Sequence, residues 1–293
     1  MNLFRIKLGF SVMALLFLFS ESLVADDARD IMQQVIDRDD GFSQYSIQVI
    51  ATCQYEINHR KLACVDKPRV KVIEVIQKDA GKNKKDSYSI MIIKKPSAEK
   101  GIGFLQYDYD ERGRDTDQWM YLSAMGKIKR IVSGNDNEPK TGTLFGSEFS
   151  YEDTEKAKIE NYEYKLIKQT KYKGHDVWII ESRPTPKHAR KSNYSKSLLW
   201  VDKDRHLLLK TKLYDRRGRL IKQMSFSRYK KIDNIWIAQK INMNNVQSKR
   251  ITTMKLQKIV LNRDIDDALI SKRTLTDSAF REKQLDKIRL AKE

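Results

Sequence analysis

The segment DYDERGRDTD crowds acidic side chains at a spacing that could bind a calcium ion. Asp108, Asp110 and Gly113 fit the start of a calcium-binding loop, which needs alternate carboxylates and a glycine at its sharp turn. The match then fails, because Arg112 occupies a ligand position and Trp119 stands where a bidentate glutamate is required. The segment is therefore predicted to be an exposed charged turn, and no metal site is expected.

A second stretch that could carry chemistry is TGTLFGSEFSYEDT, in which Ser147 has Glu148 and Glu152 nearby as candidate bases. A serine nucleophile normally needs a histidine base or a strained Gly-x-Ser-x-Gly turn, and this stretch has neither. The histidines of the chain, which lack the spacing of a metal-binding pair, are His59, His175, His188 and His206. No catalytic residue is predicted, so the sequence indicates a protein that is not an enzyme and needs no cofactor.

The chain has two cysteines, Cys53 and Cys64. An even count in an exported protein argues for a disulfide bond, which here would close the hairpin CQYEINHRKLAC. A metal site at this pair is not expected, since the spacing is not that of a Cys-x-x-Cys pair and His59 is the only nearby histidine. Closing such a short loop would stabilise the fold by about 2–3 kcal/mol on the chain-entropy account.

The first 25 residues have the features of a secretory signal peptide. Arg5 and Lys7 precede an uncharged, mostly apolar run, Leu8–Phe19, and a small residue, Ala25, ends the segment. The run is shorter than the roughly 20 residues that a membrane-spanning helix needs. We therefore expect cleavage near Ala25 and a single mature domain, residues 26–293, since no Pro-, Gly- or Ser-rich linker divides it. An uncleaved membrane anchor is the alternative.

Positive charge dominates the composition, with 57 Lys and Arg against 39 Asp and Glu and a formal net charge of +18. Such a balance is common in proteins that bind nucleic acid. Export disfavours nucleic acid as a partner, and the basic residues are dispersed rather than gathered in runs. The charge then reflects a solvated surface, or attraction to anionic lipid or to an acidic partner.

An amphipathic helix opens the mature chain, and a long series of strands follows. Its apolar positions recur at three- and four-residue spacing and are Ala28, Ile31, Met32, Val35 and Ile36, with Gly41 ending the helix. Beyond it, short segments rich in β-branched and aromatic residues alternate with turn residues as far as Leu261, which predicts an antiparallel meander. The segment DSAFREKQLDKIRL predicts a closing helix that Asp277 or Ser278 caps.

Several predicted strands, such as VIEVI and SIMII, are apolar on both faces. Two arrangements explain this pattern. The sheet is covered on both sides, by the two helices for example, or it curves around an internal apolar cavity. Periodicity alone does not separate the two arrangements.

The stretch DTDQWMYLSAMGKIKRIVSGNDNEPKTGTLFGSEFSYEDT resembles the periplasmic outer-membrane lipoprotein-sorting proteins related to LolA and LolB. Its motifs are an Asp-Gln-Trp-hydrophobic-Tyr-Leu strand, a basic strand ending in Arg-Ile, and a Gly-Ser-x-Phe-x-Tyr-Glu-Asp loop. The matching residues are Gln118, Trp119, Tyr121, Leu122, Arg130, Ile131, Gly146, Ser147, Phe149, Tyr151, Glu152 and Asp153. Ser123 departs from the usual proline, which affects only a turn. The opening helix and the late hairpins are also similar, whereas the hairpin that contains both cysteines is not part of the family pattern.

The resemblance implies a mainly β fold, in which an antiparallel sheet curves into a half-open β-barrel with an N-terminal helix and short helices as its lid or plug. It also implies a periplasmic carrier, which binds the acyl chains of a lipid or lipoprotein in an apolar cavity and moves it between the inner and outer membranes. The subgroup is associated with inner-membrane RND-type lipid exporters, so we expect such a transporter as partner, together with transient contact with an anionic membrane surface. A non-carrying accessory or regulatory subunit of the transporter is the alternative.

Apolar residues of the first strands and aromatic residues of the motif are expected to line the cavity of such a fold. The expected ligand-binding residues are Ile47, Val49, Ile73, Val75, Ile90, Ile92, Phe104, Trp119, Tyr121, Phe145, Phe149 and Tyr151. The expected lid residues are Ile31, Met32, Val35 and Ile36. Gly142 and Gly146 would permit a tight backbone at the rim of the barrel, with aromatic side chains at its mouth.

Overall fold

A computed structural model describes residues 20–59, 61–133 and 138–290 of the chain. Most of the predicted signal peptide lies outside these residues, so its cleavage near Ala25 stays a prediction. No helix in the described part of the chain is long and apolar enough to cross a membrane.

Strands account for most of the regular structure, as the sequence predicts. The strands are β1 (Ser43–Asn58), β2 (Lys61–Cys64), β3 (Arg69–Ala80), β4 (Asp86–Lys95), β5 (Gly103–Asp108), β6 (Asp117–Leu122), β7 (Lys127–Ile131), β8 (Tyr162–Tyr172), β9 (His175–Pro184), β10 (Tyr194–Asp202), β11 (Leu208–Asp215), β12 (Leu220–Ile232), β13 (Ile235–Asn245) and β14 (Arg250–Leu261). The α-helices are α1 (Ser20–Ile36), α2 (Pro186–Ala189), α3 (Lys272–Thr276) and α4 (Ser278–Leu290). The short helices α2 and α3 are not predicted from the sequence.

A single antiparallel sheet joins these strands in the order β7-β6-β5-β4-β3-β1-β14-β13-β12-β11-β10-β9-β8, with β2 added to the end of β1. The strands run outward in chain order from β1 to β7 at one edge, begin again with β8 at the other edge, and return one by one to β14. Strands β1 and β14 pair with each other and join the two halves. The edge strands β7 and β8 are not paired with each other, so the sheet is not closed. This arrangement confirms the predicted mainly β, half-open architecture.

Helix α1 lies against one face of this sheet, which we call the inner face; the opposite face is the outer face. The sequence predicts a helix that continues to Gly41, whereas α1 ends at Ile36. The apolar pattern stops there, and Asp37, Asp39 and Asp40 follow. Carboxylates are unfavourable at the negative end of a helix dipole, which accounts for the earlier end.

The C-terminal helices cover the outer face of strands β1 and β3–β6. The buried cluster between them consists of Tyr45, Ile76, Ile90, Ile92, Leu105, Trp119, Ile265, Leu269, Ile270, Leu275, Leu285 and Ile288. Inside this contact the side chain of Glu74, which is 1% exposed, accepts hydrogen bonds from Arg289 of α4 at 2.7 and 2.8 Å. The predicted capping of α4 is confirmed at Asp277, whose carboxylate accepts a hydrogen bond from the backbone N–H of Phe280 at 2.9 Å.

Residues 144–149 fill the inner face of the same strands. Leu144, Phe145 and Phe149 are buried there among side chains of β1 and β3–β7, and Leu213 and Met243 reach the same cluster from the other half of the sheet. Strands such as VIEVI and SIMII are therefore covered on both faces, which is one of the two arrangements that the sequence left open.

The predicted disulfide bond is confirmed. Cys53 and Cys64 are bonded, with their Cα atoms 5.8 Å apart. The bond joins β1 to β2, which pair from Tyr55 opposite Cys64 to Asn58 opposite Lys61. This hairpin extends beyond the part of β1 that pairs with β3 and β14.

Candidate functional site

Helix α1 covers part of the inner face of the second half of the sheet, β8–β14. Ala28, Ile31 and Met32 form its buried apolar stripe, because their three- and four-residue spacing places them on one side of the helix. The strand residues beneath this stripe are Tyr164, Ile180, Leu199 and Val201. The helix is therefore held by apolar contact with β8–β10 and leaves the inner face of β11–β14 less completely covered.

A cavity of about 330 Å³ lies beside this helix, on the inner face of β1 and β11–β14. Its apolar walls are Val35, Leu207, Leu208, Phe226, Trp236, Ile237, Ile241, Met254, Leu256 and Ile259. Side chains alternate between the two faces of a strand, so Met254 and Leu256 both point inward while Lys255 points outward. Gln44, Gln48 and Gln239 add polar groups to the walls that carry no charge. This volume is within the range of small-molecule binding sites.

A second cavity of about 200 Å³ continues under Met32 and shares Leu208 with the first. Most of its surface is apolar, with Tyr164 and Leu199 among the side chains that line it. Its far end is polar, because Glu152 and Asp153 reach it there. The two cavities together extend along the inner face beneath and beside α1.

A polar space of about 560 Å³ adjoins the first cavity at the end of α1. Arg38 and Asp40 line both spaces and therefore mark the boundary between them. Acidic and basic side chains are mixed in the polar space. Those that line it are Asp37, Arg38, Asp39, Asp40, Asp79, Lys84, Lys85, Asp110, Lys156, Lys158 and Glu160. The apolar cavity thus has a charged vestibule at one end.

Arg38 and Asp40 set the electrostatics of this boundary. A guanidinium N–H of Arg38 donates a hydrogen bond to the backbone carbonyl of Trp236 at 3.2 Å, which links the end of α1 to β13. Burial raises the pKa of Asp40, and the charges of Lys156 and Arg38 oppose that rise. Asp40 remains exposed to solvent at this boundary, so water moderates the rise. The boundary therefore carries a cation fixed in place and a carboxylate that is easier to protonate than usual.

The stretch TGTLFGSEFSYEDT serves as a structural element between the two halves of the sheet. Asp153 accepts hydrogen bonds from Lys222 and from the hydroxyl of Tyr194, both at 2.7 Å. Glu152 accepts a hydrogen bond from the backbone N–H of Asn193 at 2.7 Å. These carboxylates anchor the connection between the sheet edges to β10 and β12.

Ser147 does not have the surroundings of a nucleophile. Its hydroxyl accepts a hydrogen bond from the backbone N–H of Phe149, and Glu148 forms an ion pair with Arg250 at 3.0 Å. Among the described residues, no group of His, Cys, Asp or Glu side chains is arranged to hold a metal ion.

Position 142 of the stretch requires a glycine, both for its backbone conformation and for the space beside it. Its φ is +111°, and a Cβ atom at this position would lie 2.8 Å from Cε2 of Tyr151. Phe145 also has a positive φ, +51°, in a backbone region that aromatic residues rarely occupy. Burial of its ring against the sheet compensates for that conformation.

Comparison with known proteins agrees with this architecture. A family model whose members are described as uncharacterized proteins matches residues 85–277, more than half of the chain. The chain belongs to this family, DUF1329. No protein with a curated description matches it in sequence.

Three solved structures illustrate the fold of the DUF1329 chain. A DUF1329 family protein from Desulfovibrio piger is 24% identical, with a TM-score of 0.75 over 86% of this chain and 99% of the other. A domain from Vibrio parahaemolyticus assigned to outer membrane lipoprotein sorting is 27% identical, with a TM-score of 0.73 over 86% and 99%. A LolA superfamily protein from Nitrosomonas europaea is 19% identical, with a TM-score of 0.59 over 87% and 98%. The chain therefore has the fold of LolA-superfamily proteins.

The expected ligand-binding residues of the DUF1329 chain lie mainly in two packed clusters. Those in or against the outer cluster, under the C-terminal helices, are Ile47, Ile90, Ile92, Trp119 and Tyr121. Those in or against the inner cluster, around residues 144–149, are Ile73, Val75, Phe104, Phe145, Phe149 and Tyr151. Val49 is half-buried on the outer face. None of these twelve residues contributes to the walls of the two apolar cavities, because helices and loop already fill the space beside them. Their contact with a ligand stays a prediction.

The expected lid residues are all on α1, and each has a different position. Val35 lines the larger apolar cavity and Met32 the smaller one. Ile31 packs into the cluster beneath the helix, and Ile36 lines the polar vestibule.

Most of the walls of the larger apolar cavity come from the late strands β11–β14, which hold none of the expected ligand-binding residues. The sequence does show which of these residues share a face of the sheet. Ile237, Gln239 and Ile241 alternate along β13, as Met254 and Leu256 do along β14. Alternation identifies the residues that share a face, but it does not show whether the face is filled or left open.

Proposed function

We propose that the protein is a periplasmic carrier that holds an acyl chain of a lipid or lipoprotein in the cavity between α1 and strands β11–β14. The observation that carries the proposal is the cavity of about 330 Å³ with mostly apolar walls, which has a charged vestibule at one end. An amphiphile has the matching chemistry, since its chain would occupy the apolar space and its polar head the vestibule.

The energetics of such binding are sufficient without a catalytic or metal centre. Each buried methylene contributes about 0.8 kcal/mol. Ten methylenes would contribute about 8 kcal/mol, which corresponds to micromolar affinity before the entropic costs of binding are counted. A carrier needs to release its cargo as well as to bind it, so an affinity of this order suits the role.

The similarity to a domain assigned to outer membrane lipoprotein sorting supports this choice of cargo. The proposed route is from the inner to the outer membrane. An RND-type transporter of the inner membrane is the proposed partner, as the resemblance of the sequence to that subgroup implies. Export through a signal peptide cleaved near Ala25 would place the protein in the periplasm.

Two substitutions in β1 test the proposal with matched chemistry. Gln48 lines the cavity, whereas Val49, the next residue, lies on the outer face. Gln48→Trp should fill the cavity and lower the affinity for a fluorescent fatty acid at least tenfold. Val49→Trp puts the same side chain on the other face and should bind like the parent protein.

The measurement is fluorescence titration of the purified mature protein, with circular dichroism to confirm that both variants fold. Equal binding by both variants would place the ligand outside the cavity. Failure of the parent protein to take up any acyl chain would instead favour the alternative, a transporter subunit that carries no cargo.

A further inference from the structure

The outer face of the second half of the sheet carries a set of basic and aromatic side chains that we call the basic face. It consists of Tyr172, Trp200, Lys210, Lys212, Lys240 and Lys255. Helices α3 and α4 cover only the outer face of the first half, around the cluster that contains Trp119 and Leu285. Within the described part of the chain, the basic face remains half-exposed or exposed.

Strand register brings these side chains together. Trp200 of β10 lies directly opposite Lys210 of β11, and Lys240 of β13 lies directly opposite Lys255 of β14. Their neighbours in sequence point into the interior: Thr211 lines the smaller cavity, and Ile241 and Met254 line the larger one. The same strands thus form the cavity on one face and the basic face on the other.

The four lysines lack compensating acids. None of the ion pairs and hydrogen bonds among the described residues uses their ammonium groups. Burial is the main cause that lowers the pKa of Lys210, and repulsion by Lys212 and Lys173 lowers it further. The pKa of Lys240 is likewise lowered mainly by burial, and also by repulsion from Lys255 and Arg228. Like charges directly opposite each other destabilise a sheet, so this arrangement costs stability when nothing is bound.

Aromatic rings lie among these charges. The Nζ atoms of Lys210 and Lys212 are 5.2 and 5.7 Å from the ring centroid of Trp200. Lys210 is also 5.9 Å from the ring centroid of Tyr172. Tryptophan and tyrosine with lysine are the side chains that favour the boundary between lipid head groups and water, because each combines an apolar body with a polar end.

We propose that the basic face docks the protein on the surface of a membrane that contains anionic phospholipid. The charges are complementary, since an anionic leaflet attracts each nearby lysine or arginine, and the chain carries a formal net charge of +18. The lysines spread over β11, β13 and β14 of a sheet face, which suits a broad surface of head groups better than a single acidic peptide. Docking is a second function of this half of the sheet, and it can be tested without cargo.

The test is flotation of the purified mature protein with vesicles of phosphatidylcholine, with and without phosphatidylglycerol. The parent protein should bind only the anionic vesicles, and binding should weaken as salt is added. The variant K210Q/K212Q/K240Q/K255Q should bind them roughly 100-fold more weakly. The matched control K127Q/K129Q/K283Q/K287Q removes the same charge from exposed lysines of β7 and α4 and should bind within a few-fold of the parent.

Three outcomes would overturn the proposal. Equal loss in both variants would mean that net charge alone drives adsorption. No loss in the first variant would place the contact elsewhere. Binding of the parent protein to polyglutamate but not to anionic vesicles would assign the surface to an acidic protein. If the fourfold variant does not fold, the double variant K240Q/K255Q replaces it, with K283Q/K287Q as its control. The double variant should bind anionic vesicles roughly tenfold more weakly than the parent protein. Unchanged uptake of fluorescent fatty acid by the variants would separate docking from carriage.

Discussion

The two halves of the sheet differ in what covers them. In the first half, β1 and β3–β7, the C-terminal helices fill the outer side and residues 144–149 fill the inner side. In the second half, β8–β14, the inner side keeps cavities of about 330 and 200 Å³. Apolar strands therefore form a packed core where other elements fill the space beside them, and they line a cavity where one helix covers them only in part.

The largest effect should come from breaking the contact that fixes the outer side of the first half. Arg289→Ala would leave Glu74 buried with only the half-exposed Lys94, 3.1 Å away, to balance its charge. Removing one partner of a buried pair costs about 3–5 kcal/mol. Lys287→Ala, on the exposed side of the same helix, should cost less than about 0.5 kcal/mol. Urea unfolding measures both, and a similar cost for the two variants would refute the role of the buried pair.

Truncation of one leucine in each half compares packing directly. Leu105→Ala in the outer cluster should cost about 2–4 kcal/mol of unfolding free energy, because it opens a cavity in a filled core. Leu256→Ala enlarges a cavity that already exists and should cost about 1 kcal/mol. The midpoints of urea unfolding give the comparison. Equal costs at the two positions would mean that the second half is as tightly packed as the first.

A pH dependence should arise in the connection between the halves. Burial raises the pKa of Glu155 to about 7, against the opposing charge of Lys140. The unfolded chain releases this proton near pH 4, so between about pH 4 and 7 the folded protein holds a proton that the unfolded chain has lost. Stability contributed by this group therefore falls as the pH rises through that window.

Glu155→Gln removes this group and tests the sign of the effect. The variant should gain about 1 kcal/mol relative to the parent protein between pH 5 and 7. Glu163→Gln, at an exposed position of β8, should keep the pH profile of the parent. Urea unfolding at each pH supplies the profiles. Parallel curves for the parent and Glu155→Gln would show that burial does not perturb this carboxyl.

The smallest effect concerns the repulsion on the basic face. Lys240→Gln removes one of two directly opposed cations and should raise the unfolding free energy by a few tenths of a kcal/mol, up to about 0.5. Lys283→Gln on α4 should be neutral. Thermal unfolding at low salt, where repulsion is least screened, is the most sensitive comparison. A loss of stability in Lys240→Gln would show that the lysine is held by a favourable contact.

The strand succession, the half-open sheet and the disulfide bond could be predicted from the sequence, because each depends on local signals or on a recognisable motif. The motif around Trp119 and Phe149 identified the family, while the contact of its residues with a ligand stays a prediction. Those residues stand out because they are large and aromatic, and the structure uses them to pack the first half of the sheet.

The cavity walls could not be predicted, because a strand face lines a cavity only when no other part of the chain packs against it. The sequence of the strand itself does not show this. Ile241 and Leu256 resemble any alternating core residues in sequence. Their role depends on where α1 ends, because this helix covers the inner face of the second half only in part. The basic face was equally hidden, since Lys210 and Lys255 are far apart in sequence and only the order of the strands places them on one face of the sheet.

The central claim is that the second half of the sheet holds an acyl chain. Mass spectrometry of an organic extract of the protein, purified without detergent from the cells that produce it naturally, tests it most directly. We expect a lipid or acylated species at close to one per chain, and its loss in the Gln48→Trp variant but not in Val49→Trp. Repeated absence of any such species, together with no uptake of fluorescent fatty acid by the purified protein, would contradict the account.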